Sequence, residues 1–352
     1  MKHSPETITQ KVNFIAEELS RHIVFENETH AFAISLWIAG TYLMDNWVLY
    51  PKLYINSPER ECGKTSLLCM IEAFACKARM AASITPSAFY RIIESEGPTL
   101  LIDEADRTIR GNEELNGIIN AGHTRRTAIK ILSQPTADGK WKSVEMSLWA
   151  PQVFAGIGTQ ADTLLSRSIK IKMRRKMVSE TVASAPIDYF EKNEALRQCL
   201  KSWADKEGKR IAALDVHIPS IASDRALDNW KPLFQIAASL TDDWPDRVLA
   251  TFTEMEVNDK ESNPLSEGIE LLTDIQLLIE SHKSTEIPAA ELLSYLVTKQ
   301  DSEWFQHNRG KPITHKWLSR KLKDYGVCTE RRRHANVYEV RKLQEVFARY
   351  LP

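Results

Sequence analysis

Hydrophobic and polar positions follow several distinct rhythms along this chain. Over 6–30, Val12, Ile15, Ala16, Leu19 and Ile23 recur at helical spacing with a polar far face, which predicts an amphipathic helix. Residues 30–45 are apolar almost all round and predict a second, buried helix. From residue 53 the pattern changes to short continuous apolar runs. Leu53-Tyr54-Ile55, the stretch 79–84, Leu100-Leu101-Ile102, the stretch 150–157 and the alternating stretch 168–174 read as strands. Helical spacing lies between them, at 67–74, after Thr85-Pro86-Ser87 and over 112–126. Continuous apolar runs suit strands buried on both faces of a parallel sheet, and their alternation with helices predicts a three-layer α/β domain.

A second kind of β pattern is inserted in that domain. Residues 127–133 and 141–148 read as two strands about an Asp138-Gly139 turn, a strong hairpin signal. Beyond it the chain is helical at 189–208, 226–239 and 246–257, and the polar stretch 257–264 reads as a linker. The remainder predicts helices over 269–281, 289–296 and 315–325, the last capped by Thr314. A short strand at 337–340 and a helix at 342–350 follow. Helix, helix, turn, helix and a basic β wing suggest a winged helix.

Length and composition narrow the class without naming a partner. A chain of 352 residues is long for one core, and 46 basic against 47 acidic residues leave a net charge of −1. The five cysteines include no CxxC pair, which fits a reducing compartment and a cytoplasmic location. Cys69 and Cys76 share a helix face and read as small core residues. The start lacks the apolar core of a signal peptide. The most apolar window, 31–44, is too short to span a bilayer, so no membrane partner is expected.

The candidate chemistry lies where the first apolar run ends. Leu53 to Ile55 lead into Ser57-Pro58-Glu59-Arg60-Glu61-Cys62-Gly63-Lys64-Thr65-Ser66, and a helical pattern starts at once. Strand, tight loop, Gly-Lys-Thr and helix is the context of a phosphate-binding P-loop. Backbone N–H groups and a helix N-terminus would cradle phosphates there. Lys64 would add a point charge on the β- and γ-phosphates, and Thr65 a hydroxyl for Mg²⁺. The pattern departs from the usual one at Pro58, where Gly is customary and where proline removes a donor. The second half comes about forty residues on, in Leu101-Ile102-Asp103-Glu104-Ala105-Asp106. Acids where a buried strand ends lie at the carboxyl edge, where such sheets bind ligands. Asp103 is expected to hold the metal and Glu104 to polarise the attacking water. The plainer alternative is a set of first-turn acids on the next helix. Together the two motifs predict an ATP and Mg²⁺ site in an α/β P-loop NTPase domain. The domains are read as N-terminal helices at 1–44, the ATPase core at 45–177, a helical lid at 178–262 and a basic winged-helix-like domain at 263–352.

Further residues are candidates by position. Arg167, before the last strand, is placed where a ring ATPase's arginine reaches the neighbouring subunit's γ-phosphate. Arg225, opening a helix in the all-helical segment, is read as a lid arginine acting on the nucleotide of its own chain. Thr159 and Gln160 are candidate sensors of the water. Lys140 and Lys142 flank Trp141 at the hairpin tip, a combination suited to a single-stranded backbone and stacked bases. In the C-terminal part Lys316, Arg320 and Lys323 form one helical stripe, and Arg331, Arg332 and Arg333 lie on the wing. Few acids oppose them there, which is the footprint of a phosphate-binding surface.

The motifs taken together resemble the ATPases grouped as domain of unknown function 3631, carried by mobile elements, phages and plasmids. The resemblance rests on Ser57-Pro58-x3-Cys62-Gly63-Lys64-Thr65, Leu101-Ile102-Asp103-Glu104-Ala105-Asp106, Asn112-Glu113-Glu114-Leu115, Trp149-Ala150-Pro151, Ala155-Gly156-Ile157-Gly158, Asp162-Thr163-Leu164, Arg167-Ser168 and Asp224-Arg225-Ala226-x-Asp228-Asn229-Trp230, and spans about 30–350. Within that family Pro58 is normal. The resemblance implies a branch of the AAA+ and replicative-helicase type, often linked to primase-like domains, so a separate primase is an expected partner. The expected activity is Mg-dependent ATP hydrolysis driving DNA unwinding or translocation by a homo-oligomer, as a ring, on single-stranded or forked DNA. The rival is a nucleotide-driven switch, for example in phage defence, whose C-terminal domain docks protein.

Overall fold

The computed structural model describes residues 5–136, 139–158, 161–184, 189–262, 267–281, 284–298, 303–307, 311–332 and 335–351. The chain divides into two compact units between Asp259 and Lys260. No helix among the described residues is long and apolar enough to cross a membrane.

The first unit opens with α1 (Pro5–His22) and α2 (Thr29–Gly40). The helix expected over 6–30 therefore stops at His22, and Phe25 instead bridges Met173 at the sheet margin. Then come β1 (Lys52–Ser57), α3 (Lys64–Phe74), β2 (Arg79–Ala81), α4 (Pro86–Glu96), β3 (Leu100–Ile102), α5 (Ala105–Ile109) and α6 (Glu113–Ala121). β4 (Ile129–Pro135) and β5 (Trp141–Ser147) form the inserted hairpin. β6 (Gln152–Ile157), α7 (Asp162–Leu165), β7 (Ser168–Lys172), α8 (Tyr189–Lys192), α9 (Glu194–Ala212), α10 (Asp224–Ser239) and α11 (Trp244–Ser262) complete the unit's elements.

Five strands pair in parallel in the order β2-β3-β6-β1-β7. Period-two alternation sends side chains to opposite faces. Leu53, Ile55, Leu101, Val153 and Ala155 enter one buried cluster with α1–α3 and α9–α11. Tyr54, Leu100, Ile102 and Phe154 enter another with α4–α6 and the inner side of the hairpin. Both faces are thus covered, which is why these strands read as unbroken apolar runs. Helix starts follow their caps. Thr85 accepts Ala88 N–H at 3.3 Å with Pro86 in the first turn, and Asn112 accepts Leu115 N–H at 3.0 Å.

Three expectations need correction here. The helix predicted over 112–126 ends at Ala121, because the next residues serve the backbone of 48–50: Arg125 N–H donates to Val48 O at 2.8 Å, and Leu49 bridges Thr124. The linker predicted over 257–264 is helical through Ser262, since α11 continues past its last apolar position; residues 263–266 lie outside the described ones. Cys69 is exposed and Cys76 half-buried, so of the early trio only Cys62 is a core residue.

The second unit contains α12 (Glu267–Ser281), β8 (Glu286–Pro288), α13 (Ala289–Thr298), α14 (Glu303–Gln306), α15 (His315–Asp324), β9 (Glu330–Arg331), β10 (Asn336–Glu339) and α16 (Val340–Tyr350). β10 pairs antiparallel with β8 on one side and β9 on the other. Thr314 caps α15 by accepting Trp317 N–H at 3.3 Å. Leu271, Leu272, Ile275, Leu292, Leu318, Leu322, Tyr338 and Leu343 form a core of their own.

Candidate nucleotide site and basic surfaces

β1 delivers the chain at Ser57 into a tight loop that ends at Gly63. Gly63 has φ 81°, a left-handed conformation that L side chains adopt only with strain, and it starts α3 without a side-chain cap. The first N–H groups of α3 are therefore left for an anion. Lys64 Nζ donates to Ser57 Oγ at 2.5 Å and to Glu59 O at 3.3 Å, so its ammonium lies over the loop. Ser57 Oγ donates in turn to Glu59 O at 2.6 Å. Cys62 is buried beneath, and Arg175 clasps the exposed rim by an ion pair to Glu61 at 2.8 Å.

β3 brings the acids to the same edge. Thr65 Oγ1 donates to Asp103 Oδ2 at 2.8 Å, and Glu104 N–H donates to Asp103 Oδ1 at 2.8 Å. Glu104 has φ 47°, and its carboxylate accepts Arg107 Nη1 at 2.9 Å. A non-glycine residue held in that region costs about 1–3 kcal/mol and is found most at functional sites. Asp106 has a different task. Its Oδ1 accepts Ile157 N–H at 3.1 Å, and a Cβ on Gly156 would stand 3.2 Å from Asp106, so it ties the end of β6 to α5.

Loop and acids enclose a cleft of about 830 Å³ that includes Glu59 to Ser66, Asp103, Glu104, Asp106 and Ile157. That is the size of a nucleotide-type pocket. No group of three His, Cys, Asp or Glu among the described residues could hold a metal. A magnesium ion that keeps waters and substrate phosphates needs only one or two protein oxygens, and Thr65 with Asp103 offers those. Sequence reasoning missed Arg107 and Arg110, which line the same cleft. A signal was present for Arg107, which follows Glu104 by three residues at a helix start and so shares its face; Arg110 lies past the end of α5, and spacing alone gives no signal for it.

The structure does not bring Arg225 to this cleft. Arg225 Nη1 donates to Ser166 Oγ at 3.1 Å, beside Arg167 at the amino edge of the sheet. In this structure α10 is fastened to the turn before β7, not to the phosphate loop. Burial, and then the charge of Arg225, pull Arg167 below the usual guanidinium value. Lys52 is fully buried there, and burial with the charge of Arg167 lowers it to about 7. His123, hydrogen-bonded to Asn229 at 2.8 Å, is lowered to about 4, chiefly by burial. Thr159 and Gln160 lie outside the described residues.

Some of the basic side chains are held in ion pairs, and others lie exposed. At the hairpin tip Trp141 is 72% exposed, and Lys140 and Lys142 are exposed beside it. The turn closes through Thr136 N–H to Lys140 O at 2.8 Å, while Asp138 lies outside the described residues. In the second unit Lys316, Arg320 and Lys323 are exposed along α15. The wing is less open than its sequence implied. Arg332 pairs with Glu286 at 2.5 Å and Glu330 at 3.1 Å, and Lys342 pairs with Glu330 at 2.8 Å. Glu267 binds Lys321 and His307. Besides Glu330 on the wing itself, the opposing acids Glu267 and Glu286 come from α12 and β8, outside the stretch in which they were sought. Arg331 is exposed, and Arg333 lies outside the described residues.

An α/β fold with a parallel sheet and a P-loop-type strand, loop and helix defines the general class. A family model described as "Protein of unknown function (DUF3631)" matches residues 172–350, just over half of the chain, and the chain belongs to that family. The match begins in β7, so it is narrower than the motif resemblance over 30–350 and leaves out the phosphate loop. No curated protein matches. Among solved structures the chain is similar to the NrS-1 C-terminal region in its A-form apo structure, at 12% identity and TM-score 0.41, over 94% of this chain and 75% of that one. It is similar to the SCCmec type IV Cch active helicase at 9% identity and TM-score 0.45, over 96% and 70%. A third similarity is to the RuvB Holliday junction branch migration motor of Thermotoga maritima, at 14% identity and TM-score 0.30, over 92% and 95%. These are distant likenesses.

Proposed function

We propose that this chain is a Mg-dependent ATPase that couples hydrolysis to unwinding or translocation of DNA, in the replication or maintenance of a mobile element. The observation that carries this is the hydrogen bond from Thr65 to Asp103 at 2.8 Å, which joins the P-loop helix to the acidic strand forty residues on. Thr65 and Asp103 would hold the ion that accompanies the phosphates. Bound magnesium would supply charge neutralisation at the phosphates. Backbone N–H groups of residues 59–66 receive the phosphates, and Lys64 leaves Ser57 to join them. Glu104, held beside Asp103, accepts a proton from the attacking water. Arg167 lies about 17 Å of strand from the loop of its own chain, at 3.3 Å per residue of β1, and so acts on a neighbour's γ-phosphate within a homo-oligomeric ring.

The remaining assignments follow from exposed positive charge. Lys140 and Lys142 with Trp141 contact single-stranded or forked DNA at the hairpin tip. Lys316, Arg320 and Lys323, with Arg331, face the backbone from a winged-helix-like domain at 263–352. Residues 178–262 act as the helical lid, a separate primase is a partner, and the setting is cytoplasmic. Steady-state ATP hydrolysis with and without single-stranded DNA, on wild type and Glu104→Gln, tests this reading. Stimulation by DNA, lost in the variant, is expected. Turnover indifferent to DNA would replace the motor with a nucleotide-driven switch, and wild type without turnover would remove the ATPase.

A further inference from the structure

The chain that leaves β7 wraps the phosphate loop from behind. Met173 N–H donates to Asn56 O at 2.7 Å, Met173 bridges Phe25, and its Cε lies 3.7 Å from where a Cβ on Gly63 would stand. Arg174 gives both terminal nitrogens to Glu180, at 2.9 and 2.5 Å, and the same carboxylate accepts Met177 N–H at 2.7 Å. Further on, Ala183 N–H donates to Arg21 O at 3.1 Å, and Ala183 O accepts His22 Nδ1–H at 2.8 Å. Residues 173–183 are thus pinned at both ends and across the middle. Arg174 and Lys176 border a cavity of about 170 Å³ together with Glu61, Cys62, Gly63 and Ser66 of the loop. Arg175, between them, reaches the loop's rim: Nη2 donates to Glu61 Oε2 at 2.8 Å and to Arg60 O at 3.5 Å.

Glu61 needs a partner for two reasons. Its φ of 61° lies in the left-handed region, which an L side chain adopts at a cost, so the loop's shape there has to be held from outside. Its carboxylate also borders the cleft that the phosphates would enter, and an acid beside a phosphate site repels the ligand. Most exposed ion pairs contribute little, because two long side chains must be ordered to form them. Here the backbone on both sides of Arg175 is already fixed, and one guanidinium nitrogen serves the side chain and the main chain of the loop together. Part of the ordering cost is therefore met before any nucleotide arrives.

We propose that Arg175 is a positioning residue of the phosphate loop: it neutralises Glu61 and fixes the loop about it, so that the loop's N–H groups meet the phosphates without an opposing charge. The inference rests on the ATPase reading above and adds to it a residue that lies outside both nucleotide motifs. Arg175 acts through Glu61, and it acts on nucleotide affinity rather than on the chemical step.

Steady-state ATP hydrolysis by the full chain, with KM and kcat separated, tests it across Arg175→Lys, Arg175→Ala and Arg175→Glu. KM is expected to rise in that order, by about tenfold for alanine and further for glutamate, with kcat within about twofold of wild type. The ratio of the alanine variant's KM to that of wild type is expected to shrink as salt rises, because the charge it uncovers is exposed. Removing the carboxylate as well, in Arg175→Ala with Glu61→Gln, is expected to bring KM back to within about threefold of wild type. Arg175→Gln takes the place of the alanine variant if that one fails to fold. An unchanged KM in Arg175→Ala, a loss confined to kcat, or no recovery in the double variant would overturn the role of Arg175 and leave the ATPase reading standing. A wild-type chain that neither binds a fluorescent ATP analogue nor hydrolyses ATP would overturn the underlying reading, and the role of Arg175 with it.

Discussion

Thr65 and His30 show how single side chains set measurable behaviour. The Thr65 hydroxyl meets Asp103 directly, so Thr65→Val removes one of the two protein oxygens at the proposed ion and leaves the loop's backbone donors in place. The expected outcome is a rise of about tenfold or more in the Mg²⁺ concentration for half-maximal hydrolysis, measured by metal titration at saturating ATP. A variant with an unchanged metal requirement would separate Thr65 from the ion. His30 is buried, with Nδ1 unpartnered among the described residues, and burial followed by the charge of Lys172 lowers it to about 4. His123 is lowered to about 4 also. A folded-state value below the unfolded one means that protonation favours unfolding. Stability from both is therefore full above about 6.5 and falls as pH drops from there toward about 4, by an amount on the order of 3 kcal/mol for each. Urea unfolding at pH 7.5 and 4.5 reads the difference. His30→Leu, which cannot take up the proton, is expected to flatten the slope by up to one proton.

At the scale of elements, the sequence was most legible where one physical signal decides the outcome. The continuous runs at Leu53, Leu100 and 150–157 became buried parallel strands because both faces of the sheet are covered, and Thr85, Asn112 and Thr314 cap the helices that follow them. Boundaries failed where a distant partner overrides local spacing. His123–Arg126 looks helical in isolation but serves the backbone of 48–50, and α11 outlasts its apolar stripe. The meeting of Gly63-Lys64-Thr65 with Asp103-Glu104 in one cleft was readable because local strand–loop–helix spacing carries each half. The location of Arg225 was not, since the contact of α10 with Ser166 joins residues 59 positions apart. The same distinction bears on DNA contacts. Arg332 is spent on Glu286 and Glu330, whereas Lys316, Arg320 and Lys323 remain exposed on α15. Replacing those three by Ala is expected to lower the slope of log affinity against log salt by about three, and replacing Arg332 to change it little. Fluorescence anisotropy of a labelled oligonucleotide across a salt series separates the two, and equal effects would return the wing to the interface.

For the molecule as a whole, the division at Asp259 implies two cooperative units. The first buries a sheet between two apolar layers, and the second has its own core about Leu271, Leu318, Tyr338 and Leu343. A ligand stabilises only the unit whose folded form it binds, by an amount that grows with concentration over dissociation constant. All residues of the proposed nucleotide cleft belong to the first unit. Scanning calorimetry of the full chain is therefore expected to resolve two transitions. MgATPγS at about a hundred times its dissociation constant is expected to stabilise the first unit by about 2.7 kcal/mol and to leave the second transition where it was. Lys64→Ala removes the shift and is expected to leave both transitions in place without nucleotide, because the hydrogen bonds of Lys64 go to Ser57 and Glu59 of its own loop. If both transitions move together with nucleotide, the two units are thermodynamically coupled. Nucleotide state would then be transmitted directly to the C-terminal unit, and the basic face of α15 would change its DNA affinity with each round of hydrolysis.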